Sequence, residues 1–199
     1  MLITTEGTTM AEPPLIAATR AWVVEHYRMN HYHLENTLEW LLRLEPNASQ
    51  AMQLAALTHD MERAFEGDDK PVHLDMGGDD AEYYRLHSAR SARIVGEFLG
   101  AQGADAALIE EVKRLIVAHE IGGWHEANLI QAADSLSFFT VNVDLFVEFI
   151  RTGKHTVEQV LSKLDFTLNR IQVPAARELA MPMYQVARER ILALQQETP

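Results

Sequence analysis

Four residues stand where their surroundings give them chemistry. His59 and Asp60 are adjacent in the string Ala55-Ala56-Leu57-Thr58-His59-Asp60, an apolar run that ends on two kinds of metal ligand. Neighbouring helix positions point about 100° apart, so both side chains reach one ion only where it sits over the helix end. His119 lies on the stripe Ile109, Val112, Ile116, which puts it on the inward face of its helix. Asp134 shares a stripe with Ile130, Val141 and Leu145 in a segment that is apolar almost all round. A buried carboxylate without a partner is costly, so such an Asp is protonated, paired with a cation or bound to a metal. Residue by residue, ordinary readings stand beside these: a surface His-Asp pair, a hydrogen-bonded core histidine, and an Asp paired with a buried Arg.

The elements that must position these groups are helices. Strand patterns are nearly absent, and helical periodicity recurs between short breaks of Pro, Gly, Asn and Asp. The pattern predicts an all-α, single-domain bundle of about seven to eight helices. The first runs from about Leu15 to Arg28. The second, from about His33 to Leu44, stops at Pro46. Asn47 and Gln50 suggest a capping box for a third that reaches His59-Asp60. Segment Glu66 to Asp80, with Pro71 and Gly77-Gly78, reads as a loop and a mobile cover over a site. A fourth helix spans about Ala81 to Leu99, and Asp105 caps a fifth that ends before Gly122-Gly123. The sixth, from Leu129 to Ile150, is the buried one, closed by Gly153. Thr156 and Gln159 form a capping box for a seventh, and the last follows Pro174 and is interrupted at Pro182. Met1 to Pro14 reads as a disordered leader, residues 15–199 as the helical domain, 27–150 as its metal-binding core and 155–195 as C-terminal helices.

Composition narrows the function. A chain of 199 residues without cysteine has neither disulfides nor Cys-ligated zinc, so a metal falls to its nine histidines and its carboxylates. The net charge of −12 argues against a protein that grips nucleic acid. A small substrate fits better, and a few Arg or Lys can still make a locally positive pocket. Gln131, Asp134, Asn142, Asp144 and Glu148 interrupt the longest apolar stretch, so no membrane span is expected. No signal peptide is evident, and a cytoplasmic location is expected; assembly with like chains is left open.

The ordered set His33, His59-Asp60, His87, His119 and Asp134 resembles the signature of the HD-domain superfamily of metal-dependent phosphohydrolases. In that family a His, a His-Asp pair and a distant Asp hold a divalent metal. The resemblance covers roughly Tyr27 to Ile150 and includes the strings His87-Ser88-Ala89-Arg90 and Ala132-Ala133-Asp134-Ser135-Leu136. It implies an all-α fold, a divalent metal, and hydrolysis of a phosphate ester or anhydride in a small nucleotide-like substrate. His33, His59, Asp60 and Asp134 match the basic ligand set. His87 and His119 match the further ligands of the branch that holds two metals, with Asp60 bridging. The chain departs from the pattern in places. His31 is an alternative to His33 as first ligand, Asn36 stands where the family often has Arg, and Glu120 follows His119 where the two-metal branch often has a second His. His125 is a spare candidate. Neither the Gly-Tyr-Pro of the cyclic dinucleotide subgroup nor the Glu-Asp pair of the alarmone subgroup is present.

Imidazoles with hard carboxylates suit Mn, Fe, Co, Ni, Zn or Mg, one or two ions per chain. Asp60 is expected to be catalytic through the metal, with Glu62 and Arg63 orienting a water and holding a phosphate oxygen. Lys163 and Arg170, seven apart on one helix face, and Arg90 are expected to bind the substrate phosphate. Trp22, Trp40 and Trp124 are expected in the core. Two rival functions keep the fold: a di-iron oxygenase, and a non-catalytic, metal-stabilised nucleotide-binding module.

Overall fold

Apolar residues at three- and four-residue intervals, cut by Pro, Gly and short polar side chains, become nine α-helices in a computed structural model whose described residues are 12–72 and 80–197. No strand occurs among the described residues. Pro14 starts α1 (Pro14–His26), where a missing N–H costs nothing. Helix α2 (His31–Leu44) follows a short turn. Ser49 caps α3 (Gln50–Thr58), its hydroxyl accepting the Met52 N–H at 3.2 Å. The expected Asn47–Gln50 box does not form: the helix starts only at Gln50, and the Asn47 N–H turns back to the Glu45 carboxylate at 3.1 Å. A 3-10 turn, Met61–Ala64, follows α3.

Asp80 caps α4 (Ala81–Ala101) through the Tyr83 N–H at 2.9 Å, and Asp105 caps α5 (Ala106–Ala118) through that of Ala107 at 2.8 Å. The single buried helix expected from Leu129 to Ile150 is three pieces instead: α6 (His125–Ser137), a π turn over Phe138–Asn142, and α7 (Val143–Arg151). Thr156 and Gln159 make the expected reciprocal box, at 3.2 and 3.0 Å, for α8 (Val157–Asn169). Helix α9 (Pro174–Glu197) runs through Pro182 rather than breaking there. Buried Ala176, Ala180, Ala187 and Ile191 on both sides of the proline anchor that helix, and their packing offsets the local cost of about 3 kcal/mol.

Helix α3 is the centre of the bundle: Leu54 through Thr58 are all fully enclosed. Small Ala55 and Ala56 allow close approach of neighbours, while Leu54 and Leu57 each contribute roughly 1.5–3 kcal/mol of burial. Helix α5 packs against both α3 and α4, α2 packs against α6, and α8 against α9. The C-terminal ends of α3 and α5 are thereby enclosed with the inward faces of α2, α4 and α6. No helix among the described residues is long and apolar enough to cross a membrane. Residues 1–11 of the expected leader and 73–79 of the expected cover lie outside the described residues.

Candidate metal centre

Four imidazoles meet at those helix ends, and each has its outer nitrogen occupied. His33 Nδ1 lies 2.9 Å from the Ser137 hydroxyl, and His87 Nδ1 lies 2.9 Å from the Glu62 carboxylate. His59 and His119 are the first residues beyond α3 and α5, and each ring donates back to the carbonyl three residues earlier, Ala56 at 3.0 Å and Ile116 at 2.7 Å. Bonding at Nδ1 fixes the ring and turns Nε2 inward, which is the arrangement that orients metal-ligating histidines. The Nε2 atoms of His59, His87 and His119 are buried and have no hydrogen-bond partner.

Two carboxylates face these nitrogens. Asp134 Oδ1 is 3.0 Å from His33 Nε2 and 3.5 Å from His59 Nε2. Asp60 Oδ1 is 2.9 Å from His87 Nε2, without hydrogen-bond alignment, and 4.0 Å from His59 Nε2. Three overlapping sets each place their ligand atoms within 4.8 Å of one another: His33, His59 and Asp60; His59, His119 and Asp134; and Asp60, His87 and His119. Asp60 belongs to two of them. Orphaned imidazole nitrogens converging on buried carboxylate oxygens are a donor set that can hold a metal ion, and the residues fit such a group.

The charges are balanced by arginines on the outer side. Arg63 Nη1 lies 3.2 Å from Asp60 Oδ2, and Arg170 pairs with both Asp134 and Glu120 while donating from Nε to the Ser135 hydroxyl at 2.9 Å. Burial alone would raise the carboxyl of Asp60, but Arg63, His59 and His87 hold it well below the usual range. Asp134 is likewise held low, burial being overcome by Arg170 and His59. Burial pushes the imidazoles down; Asp134 and Asp60 outweigh it at His59, and Asp60 and Glu62 at His87, so both end raised. His119, whose carboxylate neighbour is Glu120, ends lowered.

A cavity of about 50 Å³ opens over the cluster, with Arg63, Lys163 and Arg170 among its lining groups. The structure therefore brings His33, His59, Asp60, His87, His119 and Asp134 together, with Arg63, Lys163 and Arg170 at the rim. His31 lies outside, 3.8 Å from Glu35, and His125 is exposed at the start of α6. Two expected roles change. Glu62 is buried between His87 and Arg90, so it positions an imidazole rather than a water. Arg90 spends its donors on the Glu62, Phe65 and Glu66 carbonyls and on Asp69, tying down the chain after the 3-10 turn instead of meeting a substrate. Trp22 stacks on Phe98, and Trp40 bonds Thr140, both away from the cluster. Ser137, Glu120 and Asn142 were not foreseen as site residues. Their signal was present as polar interruptions of otherwise apolar, buried helical segments.

An all-helical bundle around a buried histidine–aspartate centre able to hold a metal ion is the class that this fold and site define. The chain belongs to the family described as Domain of unknown function (DUF4202), whose pattern matches residues 14–193. No curated protein matches it. Among solved structures it is similar to the crystal structure of selenomethionine-labelled YpgQ from Bacillus subtilis, with 18% sequence identity and a TM-score of 0.65, covering 93% of this chain and 94% of that one. The likeness extends over the whole bundle and shows a shared fold.

Proposed function

We propose that the protein is a divalent-metal-dependent phosphohydrolase that cleaves a phosphate ester or anhydride of a small nucleotide-like molecule. The observation that carries this reading is the convergence of three unpartnered Nε2 atoms on Asp60 and Asp134, beneath a cavity rimmed by cations. His33, His59, Asp60 and Asp134 would hold one ion, and Asp60, His87 and His119 a second. Such an ion supplies Lewis acidity toward a phosphoryl oxygen and an acidified water.

The chain's own cations divide the remaining work. Arg170 is committed to Asp134, Glu120 and Ser135, so it fixes the carboxylate that faces His33 and His59. Lys163 makes no ion pair among the described residues, and its ammonium lies 3.4 Å from the Tyr84 hydroxyl. Burial pushes that ammonium down to about 8, and an anionic phosphate entering the cavity would keep it protonated. Arg63, half-exposed at the mouth, can hold a second phosphate oxygen while still contacting Asp60.

The test is elemental analysis of protein purified without chelator, followed by a phosphatase screen with each metal found. Lys163→Ala should lower kcat/KM by roughly 10- to 100-fold, about 1.5–3 kcal/mol for a lost charged hydrogen bond, with metal content unchanged. Absence of bound metal under all loading conditions would sink the reading. Oxygen consumption without phosphate release would replace it with di-iron oxygenase chemistry.

A further inference from the structure

Asp134, Phe138, Asn142 and Phe146 follow one another at four-residue intervals, and all four line the cavity over the metal centre. A regular α-helix turns about 100° per residue, so every four residues overshoot a full turn by about 40°. Eight residues on, Asn142 would stand about 80° around the helix from Asp134, and Phe146 about 120° away. The π turn over Phe138–Asn142 counters that drift, because i→i+5 spacing places more residues in a turn and rotates each one less. Thr140 holds the turn: its hydroxyl donates to the Leu136 carbonyl at 2.7 Å and accepts the Trp40 indole N–H at 3.1 Å. A local distortion of the longest buried segment thus keeps Asn142 on the cavity side.

Asn142 is only 6% exposed, and its Oδ1 is buried without a hydrogen-bond partner. Buried polar atoms are nearly always paired, so an orphan facing a cavity marks a place where a ligand supplies the partner. The carboxylates around the same cavity only accept, and Arg170 is already committed to Asp134, Glu120 and Ser135. Phe138 and Phe146, on either side of Asn142 along the same face, have nothing to donate. An amide oxygen only accepts, so its missing partner is a donor. A phosphate dianion has no donor, which leaves phosphate to Lys163 and Arg63. At about 50 Å³ the cavity is far smaller than the roughly 300–1,000 Å³ that encloses a whole ligand, so it admits the reacting end of a substrate and its nearest substituents.

We propose that Asn142 is a specificity-determining residue whose carboxamide oxygen accepts a hydrogen bond from a substrate hydroxyl close to the scissile phosphate. The substrate class is then a sugar or polyol phosphate rather than the phosphate of a simple alcohol. This assignment rests on the phosphohydrolase reading above.

The experiment uses the metal-loaded full chain and a matched pair of probes, sn-glycerol 3-phosphate and n-propyl phosphate, which differ in two hydroxyls. Binding is measured by titration calorimetry and turnover by phosphate release. Wild type should prefer the glycerol ester about tenfold, the worth of one hydrogen bond. Asn142→Ala and Asn142→Leu should treat the two esters alike, with metal content and melting temperature reporting an intact centre. Asn142→Asp keeps the acceptor and should keep the preference while weakening both esters through its added charge. Equal treatment of the pair by wild type, or a preference that survives in the Ala and Leu variants, overturns the assignment and leaves the phosphohydrolase reading standing. Failure of both esters while nucleotides in the phosphatase screen are hydrolysed also overturns the assignment alone, whereas failure of the esters and of every nucleotide with any metal counts against that reading and removes the assignment with it.

Discussion

Helix α3 ends on Ala55-Ala56-Leu57-Thr58 before His59-Asp60, and α5 ends on Leu115-Ile116-Val117-Ala118 before His119-Glu120. The two endings share their backbone and their imidazole. Each histidine is in right-handed helical conformation just past its helix, with its ring donating to the carbonyl three residues back and its Nε2 turned inward. They differ in the acid that follows. Asp60 reaches His87 and Arg63 and lies in two of the three ligand sets; Glu120, one methylene longer, is taken by Arg170 and lies in none. The same helix-end device presents an imidazole in both places. The charge partner decides whether the next carboxylate is left available to a metal ion or anchors the arginine that pairs with Asp134.

The comparison breaks most sharply at the acids themselves. Asp60→Ala should abolish metal binding and activity while leaving helix content, because Asp60 is common to both halves of the centre; full metal occupancy in that variant contradicts its role as bridge. Glu120→Ala should retain metal, as seen by elemental analysis, and lose about 1–3 kcal/mol of stability from the unpaired donor left on Arg170. If Glu120→Ala strips metal as fully as Asp60→Ala, the two acids are equivalent and the distinction fails.

After the loss of metal and activity in Asp60→Ala, the next largest effect is that of Arg170→Ala on stability, larger than that of Glu120→Ala. It leaves Asp134 and Glu120 buried without their cation, and breaking such a network costs about 3–5 kcal/mol in chelator-treated protein. Added Mn should restore part of that loss, because an ion can neutralise Asp134 in place of the guanidinium. A melting temperature unaffected by the substitution would show that the pairs contribute nothing. Smaller again is the effect of removing one imidazole from the second set. Between one and two ions per chain are expected in the purified protein, rising toward two with added Mn or Fe. His87→Ala and His119→Ala should lose the weaker ion and keep the tighter one. Saturation at one ion, with full activity in both variants, would assign these histidines to the core or the substrate.

Much of this was legible in the sequence because it is local. Apolar periodicity and caps at Asp105 and Thr156 give the helices, and His59-Asp60 at the end of an apolar run, with Asp134 inside a buried one, mark the centre. What the sequence did not reveal depends on distant partners. The π turn needs Trp40 against Thr140, and Glu120 takes its role from Arg170, fifty positions away. Glu62 and Arg90 look like ordinary surface charges until α4 is laid against the 3-10 turn, where each becomes the other's partner. Ser49 rather than Asn47 caps α3 because the turn after Pro46 delays the helix to Gln50, which leaves Asn47 outside the cap position. Charge-to-charge pairing across the bundle carries no periodicity, so spacing alone does not show which acid meets which arginine.

The finest difference between the two helix ends is in protonation, and it predicts opposite effects on the pH dependence of stability in chelator-treated protein. Raised values at His59 and His87 mean that folding favours their protonated forms, a contribution complete below the ordinary 6.5 and lost as pH rises through the raised values. A lowered value at His119 works the other way, costing stability in acid and ceasing to cost as pH rises to the ordinary 6.5. Asp60 and Asp134 are ionised throughout this window and add no slope, since their depressed values place their loss in acid. Above 6.5 the two raised imidazoles act alone, so the metal-free protein should lose stability as pH rises from there, whereas His119 adds a rise in stability confined to pH below 6.5. His119→Ala should remove the rise below 6.5, and His59→Ala should flatten the decline that follows. Saturating Mn should reverse it in wild type, because the ion takes deprotonated imidazoles and binds more tightly as pH rises. Melting curves on both sides of pH 6.5, with and without Mn, decide the matter: the same slope in both substituted proteins would mean that His59 and His119 share one electrostatic environment and that the two helix ends differ only in their acids.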